Sequence, residues 1–118
     1  MKKIIEKIIK PWGYEQIIEI NKKYLLKKLF MKKNNRCSLQ YHNKKRETIY
    51  VLSGKLRIYI GKKKEKLKSK IYEKGSSITI QPKVIHRMKA LTDCLYLEAS
   101  TPQNKDVVRL SDDYKRVI

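Results

Sequence analysis

The stretch ETIYVLSGKLRIYI, residues 47–60, contains two runs of β-branched and aromatic residues with Ser53-Gly54 between them. Isoleucine, valine and tyrosine are enriched in strands, and a Ser-Gly pair between two such runs is a turn signal. The stretch therefore predicts two strands, residues 48–52 and 56–60, joined by a tight connection.

The same kind of pattern continues through the rest of the chain. After the first ten residues, apolar positions mostly alternate with polar ones or form short β-rich runs, and turn residues separate the runs. The pattern predicts nine strands, at residues 15–20, 24–31, 37–42, 48–52, 56–60, 66–72, 77–80, 86–90 and 94–100. Nine short strands in one domain imply a closed or double-sheet all-β structure.

The two ends of the chain are extensions of this one domain, which we expect to span residues 1–118. Residues 1–10 form an N-terminal extension, in which residues 1–9 are either a short amphipathic helix or an edge strand. Residues 111–118 form a C-terminal tail, for which we expect a helical turn capped by Ser111.

The chain is strongly basic, with 30 Lys and Arg against 11 Asp and Glu and a formal charge of +19. Such a charge can indicate a nucleic-acid or membrane partner. Lysine greatly outnumbers arginine here and is scattered along the chain, so a solvated cationic surface is the preferred interpretation. We expect neither a nucleic-acid partner nor a membrane partner.

The cysteines and the N-terminus indicate a cytoplasmic protein. Cys37 and Cys94 lie in apolar or alternating segments without CxxC spacing, which favours buried, reduced thiols. The apolar part of MKKIIEKIIKPWG is short and interrupted by charge, unlike a signal peptide, and no apolar run reaches membrane length.

Possible metal ligands cluster in SLQYHNKKRE, residues 38–47. In a strand, Gln40 and His42 project to the same face, and a turn after His42 would bring Glu47 to the same pocket. His86 is the only other histidine. These donors suit a divalent ion such as zinc, iron, manganese, cobalt or nickel. From the spacing alone, half-buried histidines held by hydrogen bonds remain the alternative.

Two motifs resemble those of the cupin superfamily of small β-barrels. The first combines Gln40-x-His42 with the spacing from Glu47 to Gly54, and the second runs from Gly75 to His86. More specifically, five segments in order resemble the type II mannose-6-phosphate isomerase module, usually found as the C-terminal part of a bifunctional enzyme with mannose-1-phosphate guanylyltransferase: KPWG (10–13), SLQYH (38–42), VLSG (51–54), IHR (85–87) and DVVRLSDDY (106–114).

The resemblance implies a cupin jelly-roll barrel with one divalent metal ion held by Gln40, His42, Glu47 and His86. It also implies the interconversion of mannose 6-phosphate and fructose 6-phosphate, with a proton moving between C1 and C2 through an enediol. The residues that it assigns to catalysis are Lys45 and Arg87, and those that it assigns to the phosphate or the enediolate are Lys45, Arg87 and Arg109.

Several alternatives stay open at this point. Arg109 can instead pair with Asp112 or Asp113 to fasten the tail, Lys45 can be an ordinary surface lysine, and Trp12 is more readily a core aromatic than a sugar platform. Cupins of this size also act as non-catalytic sugar or sugar-nucleotide binding proteins, or as epimerases and isomerases of other sugars. We expect a homodimer.

Overall fold

The computed structural model describes residues 2–116 and contains only strands as regular elements within that range. They are β1 (Ile8–Lys10), β2 (Gly13–Ile20), β3 (Leu25–Met31), β4 (Leu39–Tyr41), β5 (Glu47–Ser53), β6 (Lys55–Gly61), β7 (Lys68–Glu73), β8 (Ser77–Ile80), β9 (Ile85–Ala90), β10 (Cys94–Ser100) and β11 (Val108–Ser111). The prediction of an all-β fold is confirmed, and each of the nine predicted strands is present with bounds shifted by a few residues.

The strands form two antiparallel sheets. Sheet A has six strands in the order β1-β2-β3-β10-β5-β8, and sheet B has five in the order β11-β4-β9-β6-β7. The turn at Ser53-Gly54 links β5 of sheet A to β6 of sheet B, so the predicted tight connection passes from one sheet to the other.

Alternation along the strands builds one interior from both sheets. In β3, the buried positions Leu25, Lys27, Leu29 and Met31 alternate with partly exposed ones, because successive side chains point to opposite faces. Buried side chains of the two sheets then form a single apolar cluster: Trp12, Leu29, Met31, Cys37, Ile49, Val51, Leu56, Ile58, Ile80, Met88, Ala90, Cys94 and Tyr96. This cluster includes Trp12 as a core aromatic.

The interior is apolar towards one end of the strands and polar towards the other. In β9, Ala90 and Met88 belong to the apolar cluster, whereas His86 follows on the same face. In β10, Cys94 and Tyr96 are apolar, whereas Glu98 and Ser100 follow. The polar residues therefore gather at one end of the interior.

The ends of the chain settle two expectations. Residues 8–10 form an edge strand beside β2, so the edge-strand alternative is right for that part of the N-terminal extension. The cap expected at Ser111 is wrong: Ser111 pairs with Leu39 in β11, and the side chain of Asp112 accepts hydrogen bonds from the backbone amides of Tyr114 and Arg116. Residues 117 and 118 of the expected turn lie outside the described residues.

Both cysteines are buried and unpaired, as expected. None of the elements described for residues 2–116 is a helix with the length and apolarity needed to cross a membrane.

We predict that Gly54→Ala destabilises the protein more than Gly75→Ala. Both glycines have a positive φ, 85° and 88°, which costs an alanine about 1–2 kcal/mol. A Cβ at Gly54 would also lie 2.2 Å from the backbone oxygen of Asp93, whereas a Cβ at Gly75 meets nothing within 4 Å. Urea denaturation of the two variants measures the difference, and equal losses of unfolding free energy would contradict this account of the β5–β6 turn.

Candidate metal centre and cavity

Three of the four predicted ligands come together at the polar end of the interior. His42 follows β4, Glu47 is the first residue of β5, and His86 lies in β9. All three are buried, and their ligand atoms lie within 4.8 Å of one another. Residues from both sheets therefore converge on one point.

Hydrogen bonds to backbone carbonyls orient both imidazole rings. Nδ1 of His42 lies 2.5 Å from the carbonyl oxygen of Asp106, and Nδ1 of His86 lies 3.0 Å from that of Val84. Because a carbonyl oxygen can only accept, each Nδ1 carries the proton. Nε2 of each ring then faces the carboxylate of Glu47, which is the orientation that metal-bound histidines adopt.

The two Nε2 atoms fit a metal ion. They lie 3.7 Å (His42) and 3.2 Å (His86) from the nearer carboxylate oxygens of Glu47. Within the described residues neither atom has a partner with hydrogen-bond geometry, although both are fully buried. Two orphaned ring nitrogens facing a buried carboxylate need a cation or additional ring protons between them, and this donor set suits a divalent ion.

Gln40 lies beside the three ligands. In the β4–β9 pairing it is directly opposite His86, so the two side chains share a face. Its Oε1 accepts a hydrogen bond from the hydroxyl of Ser38 at 2.7 Å, which leaves one lone pair free. The amide oxygen of Gln40 is therefore available as a fourth ligand beside His42, Glu47 and His86.

Lys45 is buried and bridges two carboxylates. Its Nζ lies 2.7 Å from Glu98 and 3.3 Å from Glu47. Burial alone would lower the pKa of Lys45, but the charges of Glu98 and Glu47 raise it above its usual range. Lys45 is thus a fixed cation in the interior and not a surface lysine.

The two carboxylates that Lys45 joins titrate in opposite directions. Burial alone would raise the pKa of Glu47, but the His42 and His86 rings, when they are also protonated at Nε2, and the charge of Lys45 hold it well below its usual range. Burial and the charge of Glu47 raise the pKa of Glu98, and Lys45 offsets this only in part. Glu98 is therefore the more basic carboxylate of the pair.

Asp106 holds the loop that carries these groups. Its carboxylate accepts hydrogen bonds from the backbone amides of Asn43, Lys44 and Lys45, while its carbonyl oxygen accepts from His42. Despite partial desolvation, the backbone hydrogen bonds lower the pKa of Asp106 to about 2. One residue of the 101–107 segment thus fixes both a candidate ligand and the backbone of Lys45.

A cavity of about 430 Å³ adjoins the group, and cations outnumber anions along its wall. The cations that line it are Lys10, Lys27, Lys45, Lys105, Arg109 and Arg116. The anions are Glu15, Glu47 and Glu98. Such a wall favours an anionic ligand.

Arg109 lines this cavity and lies next to Gln40 in the β11–β4 pairing. Its Nε is buried and has no hydrogen-bond partner among residues 2–116. The acidic tail residues pair elsewhere: Asp112 with Arg116, and Asp113 with Arg36. The alternative in which Arg109 fastens the tail therefore has no support in this structure.

Arg87 lies away from the three candidate ligands. Because it follows His86 in β9, its side chain projects to the opposite face. There its guanidinium donates hydrogen bonds to the carbonyl oxygens of Cys37, at 2.9 Å, and Ser111, at 3.4 Å. The structure thus places Arg87 between β4 and the tail. This position does not support the catalytic and substrate-binding roles expected for it.

Sequence reasoning missed three buried charged residues: Glu15, Lys27 and Glu98. The signal was present in the alternation, because Lys27 occupies the same face as Leu25 and Leu29, and Glu98 the same face as Tyr96. A charged residue at an inward position of an alternating strand marks a polar interior site.

Comparisons with known proteins agree with this architecture. The chain matches the family model described as mannose-6-phosphate isomerase C-terminal over residues 1–112. The search of curated protein sequences finds no match to it.

Solved structures share its fold at low identity. CapF of Staphylococcus aureus, a capsular polysaccharide assembling protein, is 15% identical with a TM-score of 0.81, over 93% of this chain and 35% of CapF. KdgF from Halomonas sp. is 13% identical with a TM-score of 0.74, over 86% of this chain and 88% of KdgF. A point mutant of Bacillus subtilis oxalate decarboxylase is 15% identical with a TM-score of 0.79, over 90% of this chain and 30% of that one.

These three are cupin proteins, and the likeness shows the cupin fold. The chain spans about a third of the length of CapF.

We predict that Asp106→Ala costs about 1–2 kcal/mol of unfolding free energy at neutral pH, because three backbone amides lose their acceptor. The folded-state pKa is depressed to about 2 from 3.8, so the contribution is present above about pH 4 and is lost as the pH falls towards 2. Urea denaturation of metal-free protein at pH 7 and pH 3 checks this.

The matched control is Asp93→Ala, since Asp93 accepts one backbone hydrogen bond, from Lys33, away from the loop. A loss for Asp106→Ala that is as large at pH 3 as at pH 7, or no larger than that of the control, would refute the role given to Asp106.

Proposed function

The chain belongs to the mannose-6-phosphate isomerase C-terminal family, and on this premise we propose that it is a metal-dependent sugar-phosphate isomerase that interconverts mannose 6-phosphate and fructose 6-phosphate. The observation that carries the proposal is the pair of orphaned Nε2 atoms facing the buried carboxylate of Glu47 at the wall of a cationic cavity. One position for a metal ion then adjoins a space suited to an anionic sugar.

We assign the metal ion to His42, Glu47 and His86, with Gln40 as the fourth ligand. A divalent ion bound there would act as a Lewis acid on the carbonyl group of the sugar. Zinc, manganese, iron, cobalt and nickel are all compatible with two imidazoles, a carboxylate and an amide oxygen.

Lys45 and Glu98 are the residues that we assign to proton transfer between C1 and C2. The raised pKa of Glu98 suits a general base, because a more basic carboxylate removes a proton from carbon more readily. Lys45 lies between Glu98 and Glu47, where its ammonium can donate a hydrogen bond to the oxygen that gains charge in the enediolate. Both side chains line the cavity.

Arg109 is our candidate for the phosphate. Its Nε has no hydrogen-bond partner among residues 2–116, and a guanidinium fork matches two phosphate oxygens. Arg109 and His86 both pair with Gln40, from opposite sides of β4. The phosphate would therefore bind two strands away from His86, within the same cavity.

We predict that His86→Ala and Glu47→Ala abolish fructose 6-phosphate formation, since each removes a ligand, and that Arg109→Met raises KM about tenfold or more with a smaller effect on kcat. A coupled assay with several added metals measures both constants. Arg57→Met is the control, because Arg57 bonds to Ser69 outside the cavity.

Four results would count against the proposal. Full activity in His86→Ala excludes the metal site, and an unchanged KM in Arg109→Met excludes the phosphate assignment. Saturable binding of mannose 6-phosphate without turnover under any metal would favour a non-catalytic sugar-binding cupin, and turnover of a different sugar would identify another isomerase or an epimerase.

We also propose that the protein is a homodimer joined along β1, the outer strand of sheet A. Ile4 and Ile9 are 96% and 77% exposed beside this edge, and a second copy would cover them. Sedimentation should show a species of twice the 14.1 kDa chain that Ile9→Glu converts to monomer. Ile71→Glu, at an exposed isoleucine of β7, should leave the dimer intact, and a wild-type monomer at high concentration would exclude this interface.

A further inference from the structure

Four charged residues cross the inner face of sheet A on neighbouring strands. Glu15, Lys27, Glu98 and Glu47 lie on β2, β3, β10 and β5, which are adjacent in that order. Lys27 is directly opposite Glu98, while Glu47 is opposite Ser100, two residues beyond Glu98. We call this set the charged diagonal, and it leads from the candidate metal ligand Glu47 towards β1.

Lys27 and Glu15 of the charged diagonal form a buried ion pair. Nζ of Lys27 lies 3.2 Å from one carboxylate oxygen of Glu15, and Nζ of Lys10 lies 3.5 Å from the other. Lys27 and Glu15 are 6% and 8% exposed, yet both line the cavity. Both residues therefore border the space in which we place the substrate.

Stability does not account for this pair. Lys27 occupies an inward position between Leu25 and Leu29, where apolar side chains pack, and Ile17 and Leu29 flank it at the cavity wall. Desolvating two charges offsets most of their mutual attraction, so an apolar pair of similar size is often as stable or more stable. A charged pair at this position points to a ligand.

The charged diagonal offers both acceptors and donors to a polyhydroxylated chain. Glu98 lies one diagonal step, about 7–8 Å between Cβ atoms, from Glu47, and Lys27 lies one direct step of about 5 Å beyond Glu98. Because all three residues line the cavity, a chain whose carbonyl end lies at Glu47 would extend past Glu98 in the direction of Lys27. The carboxylates accept hydrogen bonds and the ammonium donates them, and a hydroxyl group can do both.

We propose that Lys27 is a specificity-determining residue that donates hydrogen bonds to the chain hydroxyls of an open-chain sugar phosphate, with Glu15 as the positioning residue that orients its ammonium. This assignment rests on the proposed isomerase function and extends it: the substrate binds as an extended polyol along the charged diagonal, with its phosphate at Arg109.

The test uses zinc-loaded protein and three probes: 6-phosphogluconate, gluconate and inorganic phosphate. Calorimetric titration gives the Kd of each for wild type, Lys27→Met and the double variant Lys27→Met/Glu15→Leu, which replaces the ion pair by an apolar pair. Melting temperatures report folding. Lys28→Met is the matched control, because Lys28 is the next residue of β3 and points to the opposite face.

We expect Lys27→Met to raise the Kd of 6-phosphogluconate and of gluconate about tenfold or more, because one charge-assisted hydrogen bond is lost. The Kd of phosphate should stay unchanged. The apolar pair should keep the melting temperature of wild type without keeping its affinity. Lys28→Met should bind all three probes like wild type. If Lys27→Met does not fold, Lys27→Gln and the apolar pair provide the same comparison.

Three results would overturn the proposal. Unchanged affinity in Lys27→Met, or wild-type affinity in the apolar pair, makes the ion pair structural only. A loss of affinity confined to 6-phosphogluconate and phosphate would show that Lys27 binds the phosphate group and not the chain hydroxyls. The isomerase proposal can fail separately. A protein that shows no turnover but binds gluconate through Lys27 would refute the isomerase function and keep this binding site. Turnover with an unchanged KM in Lys27→Met would support the isomerase function and refute the role of Lys27.

Discussion

The buried carboxylate of Glu47 is the group on which the rest of the site depends. A carboxylate that is 2% exposed is stable only where positive charge or hydrogen-bond donors surround it. Its neighbours His42, His86 and Lys45 come from β9 and from the segment between β4 and β5. Sheet B must therefore pack on sheet A in one register, and Asp106 must hold the loop, for the charge of Glu47 to be compensated.

Two kinds of interior support this arrangement. At one end of the strands, apolar side chains from both sheets pack into a single cluster, and their burial supplies the stability of the domain. At the other end, charged side chains line a cavity. Side chains of the same strands serve both ends, as in β10, where Tyr96 is apolar and Glu98 is charged. The apolar end thus holds the strands that position the polar groups, at an energetic cost that a wholly apolar interior would not have.

The cupin scaffold by itself does not determine a reaction, because structures with TM-scores of 0.74 to 0.81 to this chain include proteins as different as CapF and oxalate decarboxylase. The reaction depends instead on the side chains around the cavity: an arginine on sheet B whose Nε has no partner among residues 2–116, a buried lysine between two carboxylates, and the charged diagonal on sheet A. The proposed isomerase function is an account of these residues, and the family match gives it a substrate class.

The sequence alone determined nine of the eleven strands and the β5–β6 turn, because alternation and glycine placement are local properties that burial enforces. It also contained the reason why Arg87 lies away from the candidate ligands: in a strand, the residue after His86 points to the opposite face of the sheet. Only the tertiary structure decided which partners meet. Asp112 and Asp113 pair with Arg116 and Arg36, and the Nε of Arg109 has no partner among residues 2–116. Likewise, the opposition of Lys27 to Glu98 follows from the pairing of β3 with β10, which are far apart in the chain. Alternation assigns a side chain to a face, but the identity of its neighbour on that face depends on strand order and register, which arise from the packing of the whole domain.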